Sequence, residues 1–237
     1  MRFLVDFHRN GKLTKGVNST FIALIPKVDS RQRLADFRPI SLVGCMYKVL
    51  AKDLANRLCS ILNFVVSNAQ SSFVHGKQIL DGILIANEVV DDVICMKKEL
   101  LLFKVDFEEA YDSIDHNYLN SVMVNVNFPT LWRKWIMECV GTATAAVLVN
   151  GCSTKEFPLQ RGLGQGDPLS PILFLLAAKG FDILMKTTVT NDLYHAYGVG
   201  THSEVRLSHL QFADDTLIVG KKKLVECAHD LGYVVTF

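Results

Sequence analysis

The pattern of hydrophobic and polar positions changes along the chain. In the first hundred residues, apolar positions recur at helical spacing from Ser41 to Val66 and from Gln78 to Met96, and each stretch predicts a helix. A short apolar run from Thr20 to Pro26, closed by a proline, predicts a strand, and the arginine-rich stretch from Asp29 to Arg38 predicts a loop. This part of the chain is therefore expected to be mainly helical.

Strands become frequent after residue 100. An apolar strand is predicted from Leu100 to Phe107, followed by helices from about Asp115 and from Pro129 to Cys139. The run from Ala143 to Gly151 predicts another strand, onto which the residues from Cys152 to Leu159 pair back.

The last part of the pattern combines one apolar helix with two short strands. The helix is predicted from Pro168 to Met185, and the strands from Arg206 to Ala213 and from Thr216 to Val219. Helices come first and a mixture follows, without a regular alternation of strand and helix. The pattern therefore predicts an α+β fold.

Composition and charge narrow the class of protein. Hydrophobic residues make up 49% of the 237 residues, enough for a sizeable core, and no apolar run reaches the roughly 18 residues that a membrane span needs. The six cysteines are widely spaced, which predicts reduced thiols in an intracellular protein, with nucleus and cytoplasm both left open. Residues 1–57 carry 11 basic and 4 acidic side chains, and residues 58–140 carry 6 and 11. This asymmetry suits polyanion and metal binding, or arises by chance on solvated faces.

Three acidic residues are the first candidates for chemistry. Asp106 ends an apolar strand, where a carboxylate is costly unless it is paired or binds a metal; the alternative is an aspartate that caps the next turn. Asp214 and Asp215 lie side by side between two apolar strands, and a plain turn is the alternative to a metal site. Because adjacent like charges repel, a divalent cation would relieve the repulsion, and magnesium favours a few carboxylates together with substrate phosphates.

A glycine-rich segment is the second candidate. In the segment from Gln160 to Pro171, three glycines at alternate positions allow the backbone to approach a ligand closely, and Pro168 starts a helix whose N-terminus favours an anion. The spacing matches neither a dinucleotide-binding fingerprint nor a P-loop.

Together these motifs resemble the reverse transcriptases of non-LTR (LINE-type) retrotransposons, particularly those of plants. The resemblance covers roughly residues 10–220. The motifs that carry it, in chain order, are Leu24–Lys27, Phe37–Leu42, Gln78–Gly82, Asp106 with Ala110-Tyr111-Asp112, Gln165–Pro171 and Phe212–Asp215.

The resemblance implies a catalytic site and its ligands. Asp106 and Asp214 would hold two magnesium ions, which manganese can replace, and Asp215 would support them. The residues implied in binding the incoming nucleotide are Lys27 and Arg38 at the triphosphate, Tyr111 under the sugar, and Gln165 and Gly166 along the pocket. The implied partners are an RNA template, a DNA primer and deoxynucleoside triphosphates, without a membrane.

The resemblance also implies an architecture, the fingers and palm of a right-handed polymerase. Residues 1–100 would form the fingers region and residues 101–220 the palm, an antiparallel sheet backed by helices, with the pocket loop and helix at 160–185. Residues 221–237 form a divergent tail that is too short for a thumb, so that a truncated chain with weak or no activity is expected.

Two departures from the family pattern bear on activity. Glu109 stands where family members commonly have lysine, and Gly164 where they commonly have arginine. Both changes remove positive charge from the neighbourhood of the substrate. The alternative function is therefore a catalytically decayed remnant, or a maturase-like RNA-binding protein without polymerase activity.

Overall fold

The protein is described by a computed structural model in which the chain forms two compact units. The described residues are 2–30, 32–74, 76–107, 109–200, 205–221 and 234–236. The first unit comprises residues 1–61 and 109–177, and the second unit comprises residues 62–108 and 178–237. Within the described residues, none of the helices combines the length and the hydropathy of a transmembrane helix.

Helices and strands are mixed throughout the chain. The helices are α1 (Arg2–Asn10), α2 (Cys45–Val65), α3 (Ile79–Met96), α4 (His116–Asn125), α5 (Thr130–Gly141) and α6 (Ser170–Thr190). The strands are β1 (Ser19–Pro26), β2 (Phe37–Val43), β3 (Leu101–Val105), β4 (Thr144–Val149), β5 (Cys152–Ser153), β6 (Phe157–Pro158), β7 (Tyr197–Val199), β8 (Val205–Leu207), β9 (His209–Phe212), β10 (Asp215–Gly220) and β11 (Val234–Thr236). A single 3-10 turn, Leu34–Asp36, precedes β2 among the described residues.

The sheet of the first unit has the order β2-β1-β4-β5, and β6 also pairs with β4. Strand β1 runs antiparallel to β2 and parallel to β4. Pro39 lies in β2, where a missing N–H group is tolerated because β2 is an edge strand. Leu50, Leu119 and Ile136 are fully buried on the helices of this unit. The edge strand β2 therefore leads directly into the helix α2 that carries part of this core.

The sheet of the second unit is antiparallel, with the order β11-β3-β10-β9. A hydrophobic cluster lies between α3 and this sheet, and it comprises Val89, Val93, Leu100, Tyr197 and Val219. Val89 and Val93 are four residues apart, so both project from the same face of α3. The cluster holds β3 and β10 side by side, and these two strands end beside the acidic candidates.

The structure confirms most of the predicted elements and corrects three of them. The predicted helix from Ser41 to Val66 begins only at Cys45, because Ser41 pairs with Ile22 in the sheet. Arg38, which was expected in a loop, lies in β2 because it pairs with Ile25 of β1. The predicted strand from Arg206 to Ala213 is two strands, β8 and β9, which belong to different sheets.

Some elements were not expected from the pattern. No element was predicted at helix α1 or at strand β7, and β11 pairs with β3 although the residues after 220 were predicted to be a divergent tail. Residues 222–233 of that tail and Phe237 lie outside the described residues. The division into fingers and palm at residue 100 stays a prediction.

Candidate active site

The acidic candidates of the second unit lie at the same end of neighbouring strands. Val105, the last residue of β3, pairs with Thr216 of β10, so Asp106 follows β3 at the position where Asp215 begins β10. Asp214 occupies the turn between β9 and β10. Two segments far apart in the sequence are therefore brought together by antiparallel pairing, as a shared metal site requires.

Lys104 neutralises part of this acidic cluster. Its ammonium lies 3.1 Å from Oδ1 of Asp215. The pKa of Lys104 is raised, mainly by its hydrogen bond to Asp215 and also by the negative charges of Asp215, Asp106 and Asp214. Sequence reasoning missed this residue. The signal was present, because Lys104 precedes Asp106 by two positions on a strand and therefore shares its face.

The donor set fits a hard divalent cation that is completed by its substrate. The described residues contain no group of three His, Cys, Asp or Glu side chains close enough to hold a metal ion by themselves. Carboxylate oxygens nevertheless suit magnesium, which commonly takes one or two carboxylates and fills its other positions with water and phosphate. The ammonium group of Lys104 shows that this end of the sheet already attracts a cation.

The glycine-rich segment of the first unit packs against the chain itself. The N–H of Ser41 in β2 donates to the carbonyl of Gln165 at 2.7 Å, and a Cβ on Gly166, which has φ +104°, would lie 3.1 Å from the carbonyl oxygen of Ser41. Gly162, with φ +85°, is tighter: a Cβ there would lie 2.7 Å from the carbonyl oxygen of Asp112. The close approach that was expected toward a ligand is therefore made, at these two positions, toward β2 and the turn around Asp112.

Asp167 anchors this segment to α2. Its Oδ2 accepts a hydrogen bond from the hydroxyl of Tyr47 at 2.9 Å, and its Oδ1 accepts from the backbone N–H of Leu169 at 2.9 Å. Burial raises the pKa of Asp167, and the two hydrogen bonds offset only part of that effect. Ser170 completes the anchor by donating to the carbonyl of Gly164 at 2.8 Å. Gln165 and Gly166 thus lie in a segment that is fixed at both ends.

Tyr111 is half-buried and stacks on an aromatic residue of α6. Its ring lies 4.8 Å from that of Phe174 at an interplanar angle of 24°, and its carbonyl accepts from the N–H of Leu163 at 2.8 Å. The ring is therefore held in a defined orientation beside the glycine-rich segment. A fixed ring suits both a core tyrosine and a steric check on a sugar.

The two basic candidates of the first unit lie near each other in the sheet. Arg38 pairs with Ile25, two residues before Lys27, and both basic side chains are exposed. Lys27 lies close enough to Asp112 to lower its pKa in part, although burial and the neighbouring charge of Glu109 raise that pKa overall. Glu109, which departs from the family pattern, therefore raises the pKa of Asp112, whereas Lys27 lowers it.

Comparison with known proteins identifies the family. The family model described as "Reverse transcriptase (RNA-dependent DNA polymerase)" matches residues 25–234. The chain belongs to the reverse transcriptase family. The resemblance predicted from the motifs is confirmed, and reverse transcriptases generally use divalent metal ions.

Two relatives are proteins of non-LTR retrotransposons. The chain is 26% identical over 220 residues to the transposon TX1 uncharacterized 149 kDa protein of Xenopus laevis, which covers 93% of this chain and 16% of that protein. It is 27% identical over 227 residues to the retrovirus-related Pol polyprotein from the type-2 retrotransposable element R2DM of Drosophila melanogaster. This match covers 90% of this chain and 21% of that protein. The chain thus spans about a fifth or less of the length of these two relatives.

A solved structure of telomerase shows the same fold. The apo telomerase from Candida tropicalis, truncated from its C-terminal domain, superposes with a TM-score of 0.60 at 13% identity over 94% of this chain and 48% of that one. This likeness confirms the predicted α+β class of a reverse transcriptase fold. The assignments of individual site residues stay predictions.

Gly164 packs closely against the side chain of Ser41 in β2. A Cβ at this position would lie 2.9 Å from Oγ and 3.3 Å from Cβ of Ser41, so any other residue has to displace that side chain. Restoring the arginine that is common in the family therefore also requires a rearrangement of Ser41, in addition to the change in charge.

The contact around Gly162 generates a stability prediction. Gly162→Ala is expected to lower the free energy of unfolding by about 2–5 kcal/mol, because the left-handed backbone strains alanine and the methyl group overlaps the backbone of Asp112. Gly151→Ala is the matched control, with φ +80° but no atom within 4 Å of its Cβ, and it should lose only about 1–2 kcal/mol. Urea denaturation measures both, and equal losses would contradict the contact.

The buried carboxylate of Asp167 generates a pH prediction. Since its pKa in the folded protein is raised above the ordinary value of 3.8, the folded state favours the protonated form, and the stabilising contribution is lost as the pH rises through the raised pKa. Asp167→Asn stays uncharged, so its free energy of unfolding relative to the wild type should increase from pH 4 to pH 7. Urea denaturation at each pH gives this difference, with the exposed substitution Asp91→Asn as the control. A difference that does not change with pH would contradict the prediction.

Proposed function

We propose that the chain is the core of an RNA-directed DNA polymerase from a non-LTR retrotransposon. It would extend a DNA primer along an RNA template, with deoxynucleoside triphosphates as substrates. The observation that carries the proposal is the meeting of Asp106, Asp214 and Asp215 at one end of an antiparallel sheet, in a chain that belongs to the reverse transcriptase family.

We assign the metal site to the second unit. Asp106 and Asp214 would hold two magnesium ions, with manganese as a possible substitute, and Asp215 would support them while it pairs with Lys104. Bound ions would supply positive charge at the attacking and leaving oxygens of an in-line displacement. The carboxylates would fix the positions at which that charge is held.

We assign recognition of the nucleotide to the first unit. The exposed side chains of Lys27 and Arg38 carry the charge and the donors that suit triphosphate oxygens. Gln165 and Gly166 belong to the segment that Asp167 anchors, and Tyr111 presents a fixed ring that would exclude a 2′-hydroxyl group. Positioning and electrostatics dominate this kind of chemistry, so residues that hold their neighbours rigidly matter as much as ligands.

One observation favours a non-catalytic alternative. Glu109 adds a negative charge beside Asp112, where it opposes the effect of Lys27 on that carboxylate. Substrate phosphates would be repelled by the same charge. A maturase-like RNA-binding protein, or a catalytically decayed remnant, would retain the fold and the basic residues but would not need the metal site.

Metal binding and primer extension together test the proposal. In calorimetry with manganese chloride, Asp106→Asn and Asp214→Asn are each expected to weaken binding at least about tenfold, because each removes a carboxylate from a site that has few of them. In extension of a DNA primer on an RNA template, Asp214→Asn should lose about 100-fold or more of the wild-type rate.

The exposed Asp91 of α3 provides the control. Asp91→Asn removes one negative charge from the same unit and should retain wild-type affinity and rate. Wild-type affinity in both site variants would exclude the proposed metal ligands. Manganese binding to the wild type without any extension, combined with RNA binding, would support the non-catalytic alternative.

Tyr111 generates a separate prediction about the sugar. A ring under C2′ should disfavour a ribonucleotide by about 1–3 kcal/mol, or roughly 10- to 200-fold. Tyr111→Val should therefore raise the incorporation of ribonucleotides relative to deoxynucleotides, as single-nucleotide extension measures. Tyr111→Phe keeps the ring and is the matched control. An unchanged ratio in the valine variant would make Tyr111 a core residue only.

A further inference from the structure

A short segment of the second unit, Ser67–Ser72, is polar in sequence and largely buried. Ser67, Gln70 and Ser72 are 7%, 1% and 3% exposed. Buried polar groups are costly unless their hydrogen bonds are satisfied, so such a segment needs specific partners. We call Ser67–Ser72 the brace, because its partners lie along β9 and the acidic turn that follows β9.

The backbone of the brace binds the edge of β9. The N–H of Gln211 donates to the carbonyl of Ala69 at 2.7 Å, and the N–H of Ser71 donates to the carbonyl of Gln211 at 3.1 Å. Gln70 and Gln211 thereby form an isolated parallel bridge. The brace covers part of the free edge of the strand that leads to Asp214.

The side chain of Gln70 extends this contact into the turn. Its Oε1 accepts from the N–H of Ala213 at 3.1 Å and from the N–H of Ser72 at 3.0 Å, and its Nε2 donates to the carbonyl of Ala213 at 3.4 Å. One amide therefore pairs with both backbone polar groups of the residue that precedes Asp214.

Ala213 needs such support because of its backbone conformation. Its φ is +52°, in the left-handed region that is unfavourable for any residue with a Cβ. No glycine relieves the strain at this position, so the surrounding contacts must hold it. The conformation of Ala213 determines the direction in which the chain carries Asp214 away from β9.

The brace is itself held from other sides. The ammonium of Lys77 donates to the carbonyls of Ser67 and Gln70 at 3.2 and 3.1 Å, and the hydroxyl of Ser67 donates to the buried Asp182 at 2.6 Å. Burial lowers the pKa of Lys77, and Asp81 opposes this effect in part. Gln70 is therefore fixed before it contacts the turn.

We propose that Gln70 is a positioning residue of the catalytic site: its amide holds Ala213 in the left-handed conformation and so places Asp214 beside the end of β3. Gln70 acts through Ala213, without itself contacting metal or substrate. The inference rests on the metal site proposed above, and it adds a residue that lies 143 positions before Ala213 in the sequence.

Hydrogen exchange and manganese binding test this role in the full chain. Gln70→Leu keeps the size of the side chain and removes both hydrogen bonds to Ala213, so the Ala213 amide should exchange about tenfold faster or more and manganese affinity should fall about tenfold. Ser71→Ala is the matched control. It removes only the 3.4 Å hydrogen bond from the Ser71 hydroxyl to the carbonyl of Gln211, so it should keep wild-type affinity even if it lowers the midpoint of thermal unfolding.

Gln70→Glu gives a readout that a purely structural role would not change. A protonated glutamic acid can accept from the N–H of Ala213 and donate to its carbonyl, whereas the ionised form places a negative charge against that carbonyl. Burial raises the pKa of such a group. The manganese affinity of the variant, divided by that of the wild type, should therefore be near one at low pH and fall as the pH rises. Taking this ratio cancels the effect of aspartate protonation, which is common to both proteins.

The outcomes separate this inference from the proposed function. If the wild type binds manganese through Asp214 while Gln70→Leu keeps the same affinity and the same Ala213 exchange rate, the role of Gln70 is wrong and the metal site stands. If the wild type does not bind manganese, the metal site itself is wrong, and the positioning role falls with it. If the leucine variant does not fold, an affinity ratio for Gln70→Glu that is constant with pH overturns the inference.

Discussion

The repulsion between carboxylates at one end of the second-unit sheet is the constraint on which the site depends. Asp106 and Asp215 lie at the same end of paired strands, and Asp214 follows immediately in the turn. Nothing in sheet formation favours this arrangement, because neighbouring like charges repel each other. The exposed Lys104 offsets part of this repulsion through its ion pair with Asp215. The buried Gln70 holds the turn through its hydrogen bonds to Ala213. The arrangement therefore persists through contacts made by residues that are not themselves ligands.

Asp182 and its partners form an ionic cluster that contacts strand β9 through His209. Burial by itself would raise the pKa of Asp182, but hydrogen bonds from Lys179, Ser67 and Lys186 lower it, so the carboxylate is ionised in the fold. His209 of β9 lies 3.6 Å from Asp182, and burial lowers its pKa. Asp182 therefore links the brace, through the hydroxyl of Ser67, with His209 of β9, and removing one partner of this buried charge would be costly.

In the first unit, the main constraint is the close approach of backbone segments to one another. Gly162 approaches the turn at Asp112 at a distance that leaves no room for a side chain, and Gly166 makes a tight contact with strand β2. Asp167 and Ser170 then tie the intervening segment to α2 and to the chain itself. Close approach and fixed anchors leave Gln165 and Gly166 in a defined position, which the proposed nucleotide pocket would need.

The sequence by itself determined the family, the α+β class and the acidic and glycine-rich candidates, because strand periodicity, adjacent aspartates and alternating glycines are local patterns. It also contained the signal for Lys104, which lies two positions before Asp106 in the predicted strand from Leu100 to Phe107. Only the tertiary structure decided that Ser41 belongs to a strand, that residues 205–212 divide between two sheets, and that Gln70 reaches Ala213 across 143 positions. The physical reason is that pairing partners and buried hydrogen bonds depend on which distant segments meet, and periodicity within one segment carries no information about its partners.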